Sequence, residues 1–214
     1  MAGIYVHIPF CSQACYYCDF HFSTSLKYKQ RIINAINKEL IMQKHYLESQ
    51  LIQTIYFGGG TPSLIGSMSL ELILETIHHN YKLMQNTEIT IEANPEDINQ
   101  ETILSWSTMG FNRVSLGVQS FRDQDLKYMN RAHTAIEALN SIKMAQDEGF
   151  QNITIDLIYG TPGMSNEDWK YNLRKSFELN LPHISSYALT VEEKTPLHYQ
   201  ILKKNIGPVG EQQS

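Results

Sequence analysis

Cysteine is scarce in this sequence, and the few cysteines present do not form a disulfide framework. The chain of 214 residues has three cysteines, Cys11, Cys15 and Cys18, all within one short segment. An odd number of thiols this close together cannot pair completely and differs from the spaced pairs of small secreted domains. In a reducing compartment, such a group indicates a bound metal.

Long apolar runs and an excess of positive charge are also missing. The longest apolar runs have the length of a strand, far below the ~20 residues that cross a bilayer. Lys and Arg number 17 against 22 Asp and Glu, a net charge of -5 without a basic patch, so no nucleic acid partner is expected. Residues 1–5 enter a strand pattern at once and lack the features of a signal peptide. We therefore expect a cytoplasmic protein.

What is present is an alternation of short β-rich runs and longer helical stretches. Hydrophobic residues make up 42 % of the chain and charged residues 18 %, which is typical of a folded globular protein. Strands are predicted at Ile4–Ile8, Thr54–Phe57, Glu88–Ala93, Arg113–Val118, Ile153–Tyr159 and His183–Leu189. Helices are predicted at Lys27–Leu47, Ser69–Tyr81, Gln100–Met109, Thr134–Gly149 and Asn166–Leu179. Ser69 and Asn166 are candidate helix caps, and Gly110 and Gly149 are candidate helix ends.

This alternation predicts an α/β fold with a parallel sheet, because several strands are apolar almost throughout, as strands covered on both faces are. An open doubly wound sheet and a partial (β/α)6 barrel both fit the pattern. In either fold, ligands gather at the carboxyl ends of the strands. After Leu189 the pattern loosens, with a short helix predicted within Val191–Leu202. The last residues read as a connector, and we expect residues 191–214 to begin a further region of a longer protein.

The cysteines follow the first strand with the spacing C-x3-C-x2-C, from Cys11 to Cys18. One loop with this spacing can wrap three thiolates around an iron–sulfur cluster, for which thiolates are the preferred ligands. Three ligands leave one iron of a four-iron cluster open for chemistry. The alternatives are a structural zinc site, with His7 or His21 as a fourth ligand, and three inert buried thiols.

Other motifs stand at strand ends. The glycines of Gly58–Pro62 allow close approach of backbone to a ligand, although such triplets are more often plain turns. Glu92 lies near the end of the third strand, where a solvated terminus is the alternative interpretation, and Gln119 lies just past the fourth strand. Asp156 lies within the fifth strand, and a charge there needs a partner or a use. Arg131 is its candidate partner, in a structural or a functional pair.

The cysteine spacing, with an aromatic residue before Cys18, resembles the signature of the radical S-adenosylmethionine (SAM) superfamily. The strings Tyr5–Cys11, Gly58–Pro62, Gly117–Phe121 and Asp156–Gly160 resemble its oxygen-independent coproporphyrinogen III oxidase family. The resemblance implies a partial (β/α)6 TIM-like barrel with outer helices over residues 1–190. It also implies a [4Fe–4S] cluster on the cysteines and reductive cleavage of SAM. The SAM-contacting positions implied are Tyr5, Tyr17, Gly59, Gly60, Thr61, Glu92, Gln119, Arg131, Asp156 and Ala188.

Two branches of this family differ close to the cysteines. True oxidases carry a further cysteine two residues after the third one, where this chain has Phe20. They also extend before the first strand, with which this chain begins. Both differences favour the HemW-type haem chaperone branch over SAM-dependent oxidative decarboxylation. The resemblance then implies haem or a porphyrin, a haem acceptor protein, and a reductant such as flavodoxin or ferredoxin as partners. No histidine lies in a distinctive haem motif, and haem ligands are expected beyond residue 214.

Overall fold

A computed structural model describes residues 2–48 and 50–208, which form an α/β fold around one parallel sheet. The strands are β1 (Ala2–Ile8), β2 (Ile52–Gly59), β3 (Leu83–Ala93), β4 (Arg113–Gln119), β5 (Asn152–Tyr159) and β6 (His183–Ala188). The helices are α1 (Lys29–Met42), α2 (Ser67–Asn80), α3 (Gln100–Met109), α4 (Asp123–Tyr128), α5 (Ala135–Asp147), α6 (Asn166–Glu178) and α7 (Pro196–Leu202). Short 3₁₀ turns occupy Leu26–Tyr28, Pro62–Ile65 and Pro95–Asp97.

The six strands lie in the order β1-β2-β3-β4-β5-β6, and each pairs in parallel with the next. Each crossover between neighbouring strands contains at least one helix, and all carboxyl ends of the strands meet at one rim. Among the described residues no ladder joins β6 back to β1, so the barrel is partial. The predicted α/β fold and its partial-barrel closure are thereby confirmed.

The core lies between the sheet and the helices that cover it. Helix α2 shows how the sequence specifies this packing, because its apolar residues recur at helical spacing on one face. The stripe of Leu70, Ile73, Leu74 and Ile77 is buried, as its spacing predicts. The side chain of Trp106 on α3 is also fully buried. No helix of the described residues is long and apolar enough to span a membrane.

The helix termini agree only partly with the sequence-based prediction. Gly110 caps α3 in the left-handed conformation, as expected of a glycine after a helix. Ser69 does not cap α2, which begins two residues earlier at Ser67, after Gly66. The cap of α6 is Ser165, not Asn166, because the Ser165 side chain accepts from the Asp168 amide in a capping box.

Helix α1 is shorter than predicted, and helix α4 was not predicted at all. Helix α1 ends at Met42, five residues before the predicted end at Leu47. Helix α4 was not predicted, because its six residues are too few to show a helical repeat. Helix α7 confirms a short helix after β6, and its Leu197 amide donates to the carbonyl of Tyr16 at 2.7 Å. This bond ties the last described helix to the cysteine segment.

Candidate functional site

A cavity of about 760 Å³ opens at the rim where the strands end. This is the place at which parallel α/β folds collect ligand-binding groups. The structure brings together there all of the sequence-predicted site residues except Tyr5. Those in the cavity wall are Cys11, Cys15, Cys18, Tyr17, Gly59, Gly60, Thr61, Glu92, Gln119, Arg131, Asp156 and Ala188.

The three cysteines lie on one irregular loop that begins after β1. All three are free thiols and partly exposed. The Cys11 amide donates to the Ser23 carbonyl at 3.1 Å, and the Cys18 amide donates to the Cys15 carbonyl at 3.3 Å. These bonds turn the loop back on itself, so that all three thiols reach the wall of the same cavity.

The environment of Cys11 and Cys18 favours the neutral form of these two thiols in the absence of a cation. Burial raises the pKa of Cys11, and it raises the pKa of Cys18 to about 11, with the other two cysteines adding to the effect. A bound metal reverses this preference, because it stabilises thiolates directly and releases their protons. Across residues 2–48 and 50–208, no three His, Cys, Asp or Glu side chains are arranged to hold a single metal ion.

Arg131 connects the cysteine loop to the strand ends. Its guanidinium donates to the Cys15 sulfur at 3.2 Å, to the Asn94 side-chain oxygen at 2.6 Å and to the Gly117 carbonyl at 2.8 Å. Its Nε is buried and has no hydrogen-bond partner among the described residues. A buried donor without a partner costs free energy, and the Arg131 side chain that carries it lines the cavity beside the thiols.

Two carboxylates face the cavity, from strands β3 and β5 on either side of β4. Glu92 accepts from the Tyr56 hydroxyl at 2.6 Å and from the Gly59 amide at 3.2 Å, and burial still raises its pKa. Burial raises the pKa of Asp156 to about 6, and the charge of Glu92 adds to that rise. Both acids are therefore held in a setting that disfavours their charged form.

The predicted pairing of Asp156 with Arg131 is wrong. Among the described residues no ion pair joins the two. Burial raises the pKa of Asp156, and the groups that partly offset this rise are Ser185, His183 and Arg113, not Arg131. The guanidinium of Arg131 turns towards Cys15 and Asn94. Asp156 thus lies in the cavity wall without an ion pair to Arg131.

The glycine turn after β2 is bound tightly to the end of β1. The Gly60 amide donates to the Ile8 carbonyl at 2.8 Å and the Thr61 amide to the Phe10 carbonyl at 2.6 Å. A Cβ at Gly60 would lie 2.5 Å from that Phe10 oxygen, so only glycine fits. The amides at Gly60 and Thr61, with that of Gly59, are therefore used within the protein. The turn has carbonyl oxygens to offer a ligand, and these suit a donor such as an ammonium group.

Gln119 sits in a sharp turn at the end of β4. Its φ is 65°, in the left-handed region that a residue with a Cβ rarely adopts, and the Ser120 amide donates to the Val118 carbonyl at 2.8 Å across it. Strain of this kind persists only where the surroundings enforce it. Here the next amide, that of Phe121, is fixed by the buried Asn172 of α6 at 2.8 Å.

The remaining predicted residues lie at different depths. Tyr17 and Ala188 reach the cavity wall, the first on the cysteine loop and the second at the end of β6. Tyr5 is 57 % exposed and lies outside that wall. It stacks on Tyr56, with ring centroids 5.9 Å apart, and Tyr56 in turn binds Glu92. Tyr5 therefore reaches the site only through a neighbour in this structure.

Sequence reasoning missed Asn94 and Gly117. The Asn94 side chain accepts from Arg131 and donates to the Thr61 hydroxyl at 3.2 Å, which joins β3, the glycine turn and the arginine. A Cβ at Gly117 would lie between 3.0 and 3.3 Å from the side-chain ends of Gln119, Asn94 and Arg131. Asn94 could have been found from its position immediately after Ala93, the predicted end of the third strand.

The residues present fit an iron–sulfur cluster and a charged ligand that carries both donors and acceptors. Three free thiols on one loop supply the soft ligands that such clusters require. Beside them, the orphaned Nε of Arg131 can donate to a carboxylate. The carbonyls of the glycine turn and the oxygens of Glu92 and Asp156 can accept from ammonium or hydroxyl groups.

Comparison with known proteins agrees with this chemistry. The model of the radical SAM superfamily matches residues 5–175. The chain is 41 % identical over 191 residues to a protein named Heme chaperone HemW from Lactococcus lactis, covering 89 % of this chain and 50 % of that one. It is 37 % identical over 200 residues to Heme chaperone HemW from Escherichia coli, covering 90 % and 52 %.

A solved structure shows the same fold. The coproporphyrinogen III oxidase HemN of Escherichia coli, described as a radical SAM enzyme, superposes with a TM-score of 0.81 at 24 % identity, covering 95 % of this chain and 52 % of that one. The chain spans about half the length of the curated relatives it matches. Because the superfamily model covers most of its residues, including the cysteine loop and the strand ends described above, this chain belongs to the radical SAM superfamily.

Proposed function

We propose that Cys11, Cys15 and Cys18 hold a [4Fe–4S] cluster and that the adjoining cavity binds SAM. The observation that carries this proposal is the convergence of three free thiols and the orphaned donor of Arg131 on one cavity. When bound and reduced, the cluster supplies the electron for reductive cleavage of SAM. The side chains around the cluster would bind and orient SAM and shield the site from water.

The charges of the cavity match the groups of SAM one by one. Arg131 suits the carboxylate, because its Nε has no other partner among the described residues. The carbonyl oxygens of Gly59 and Gly60 suit the ammonium group, since the amides there are already used. Glu92 and Asp156 suit the ribose hydroxyls, as both are acceptors in the cavity wall. Tyr5, Tyr17, Thr61, Gln119 and Ala188 complete the proposed set of SAM positions.

For the whole protein we propose a haem chaperone of the HemW type, working in the cytoplasm. The support is its similarity to proteins of that name at up to 41 % identity along nearly all of this chain. Residues 1–190 would form the radical SAM barrel, and residues 191–214 would begin a further region. The proposed partners are haem or a porphyrin, a haem acceptor protein, and a reductant protein such as flavodoxin or ferredoxin.

Anaerobic reconstitution with iron and sulfide tests the cluster. We expect wild-type protein to gain a broad absorption band near ~400 nm and inorganic sulfide. Cys15→Ala should abolish both, whereas Ser12→Ala, an exposed position of the same loop, should leave them unchanged. Wild-type protein that takes up no iron or sulfide, or that binds one zinc ion instead, would refute the proposal.

The alternative function is oxygen-independent coproporphyrinogen III oxidation. Likeness to HemN favours it only through the fold, because the two chains are 24 % identical. Phe20, which is 70 % exposed, occupies the place of the additional cysteine that the resemblance assigns to true oxidases. Assay of the complete gene product for protoporphyrinogen, with haem binding measured in parallel, distinguishes the two. Product formation would favour the oxidase, and haem binding without product would favour the chaperone.

A further inference from the structure

The turn between α4 and α5 has an unusual backbone that its sequence has to support. Asn130 follows the end of α4 with a φ of 56°. Most residues with a Cβ avoid this left-handed region, whereas glycine and asparagine enter it at low cost. The bends at Asn130 and Arg131 are closed by backbone bonds, from the Asn130 amide to the Lys127 carbonyl at 3.1 Å and from the Arg131 amide to the Leu126 carbonyl at 2.9 Å.

This turn holds the cysteine loop through reciprocal hydrogen bonds. The side-chain amide of Asn130 donates to the Ala14 carbonyl at 2.9 Å. In the opposite direction, the side-chain amide of Gln13 donates to the Asn130 carbonyl at 2.7 Å. The Tyr16 amide then donates to the Met129 carbonyl at 3.1 Å. The loop segment on both sides of Cys15 is thus held by three hydrogen bonds to two consecutive residues of one turn, Met129 and Asn130.

The same turn delivers Arg131 to the sulfur of Cys15. The guanidinium donates to that sulfur at 3.2 Å, and its backbone follows Asn130 directly. The left-handed residue sets the direction in which Arg131 leaves the turn, while its side chain fixes Ala14, the neighbour of Cys15. Donor and acceptor of the N–H···S contact are therefore both placed by Asn130.

We infer that Asn130 is a positioning residue that sets the geometry between Arg131 and the cluster ligand Cys15. This inference rests on the proposed cluster at the three cysteines. Hydrogen bonds to ligand sulfurs raise the reduction potential of iron–sulfur clusters, because they stabilise the more negative reduced state. Loosening the loop weakens the contact from Arg131 to Cys15. The expected consequence is a cluster that is harder to reduce.

The test compares Asn130→Gly with Asn180→Gly in the reconstituted chain. Asn180 is a matched control, because it also follows a helix in the left-handed conformation, with a φ of 52°, and is exposed. Glycine keeps the backbone conformation at both positions, so the two variants differ in the lost bond to Ala14. The readouts are iron and sulfide per chain, the midpoint potential of the cluster without SAM, and its low-temperature electron paramagnetic resonance spectrum. Thermal unfolding of each variant checks that the fold is retained.

We expect Asn130→Gly to lower the equilibrium constant for reduction at least threefold, which is about 28 mV at 59 mV per tenfold change, and to alter the resonance spectrum. Asn180→Gly should match wild type in both. Equal potentials and spectra in all three proteins would overturn the inference while leaving the cluster proposal intact. Wild-type protein without any cluster would overturn both. Loss of the cluster from Asn130→Gly alone, with an unchanged melting temperature, would support the positioning role.

Discussion

Replacing Asp156 by asparagine is expected to stabilise the protein at neutral pH, although this side chain belongs to the proposed ligand site. Burial raises the pKa of its carboxyl from 3.8 to about 6, and the nearby charge of Glu92 adds to the rise. The folded protein therefore holds this proton more tightly than the unfolded chain does. The ionised carboxylate costs folding free energy, and the cost disappears at low pH. Asparagine has nearly the same size and no charge.

The magnitude follows from the two pKa values. Their difference corresponds to about 3 kcal/mol once the carboxyl is ionised in both states, as it is near pH 7.5. Near pH 5 the unfolded carboxyl is ionised while the folded one is mostly protonated, and the cost is about 1.5 kcal/mol. The cost is absent below the unfolded pKa and complete above the folded one. Since the asparagine amide has its own burial cost, we expect a net gain of about 1–3 kcal/mol near pH 7.5.

Urea unfolding of the metal-free protein at pH 5 and pH 7.5 measures this effect. The free energy of unfolding of Asp156→Asn should exceed that of wild type at pH 7.5, and this difference between the two proteins should be about 1.5 kcal/mol smaller at pH 5. Glu71→Gln, which removes an exposed carboxylate from α2, is the control and should change stability by less than about 0.5 kcal/mol. A gain that does not grow with pH, or a loss of stability at pH 7.5, would refute the electrostatic reasoning.

Two further substitutions test the site architecture. Gly117→Ala places a Cβ 3.3 Å from the guanidinium of Arg131. We expect this variant to bind SAM about tenfold more weakly in calorimetry, with little change in melting temperature. An unchanged affinity for SAM would contradict this expectation. Asn172→Ala leaves the buried Phe121 amide without its acceptor, and we expect a loss of about 1–3 kcal/mol in urea unfolding. A loss below about 0.5 kcal/mol would show that Asn172 does not hold the strained turn at Gln119.

The sequence allowed the rim of the barrel to be predicted because rim positions follow from strand ends alone. Glu92, Gln119 and Ala188 each lie at or next to the end of a different strand. Parallel strands end at a common rim, so locating the strands was enough to group these residues. The cysteine loop was equally predictable from the sequence, because the short spacing of the three cysteines keeps their thiols close together.

The direction of long side chains could not be predicted in the same way. Arg131 was expected at Asp156, but it lies on a loop, and its left-handed predecessor Asn130 turns it towards Cys15. The resemblance implies a SAM contact for Tyr5, and no sequence pattern indicated that its ring stacks on Tyr56. Both outcomes depend on loop conformation and on packing across strands, which no periodic pattern encodes.

The two acids of the cavity, Glu92 and Asp156, lower the stability of the folded protein when they are ionised. Burial raises the pKa of Glu92 and of Asp156, and the charge of Glu92 further disfavours ionisation of Asp156. Neutral side chains at these positions would relieve that cost, and so would a ligand that brings positive charge and hydroxyl donors. SAM carries a sulfonium, an ammonium and two ribose hydroxyls, so its binding would offset the cost of holding both carboxylates ionised. Asp156→Asn should then be the more stable protein and the weaker SAM binder, which is the trade-off expected where a fold keeps buried charge for a ligand.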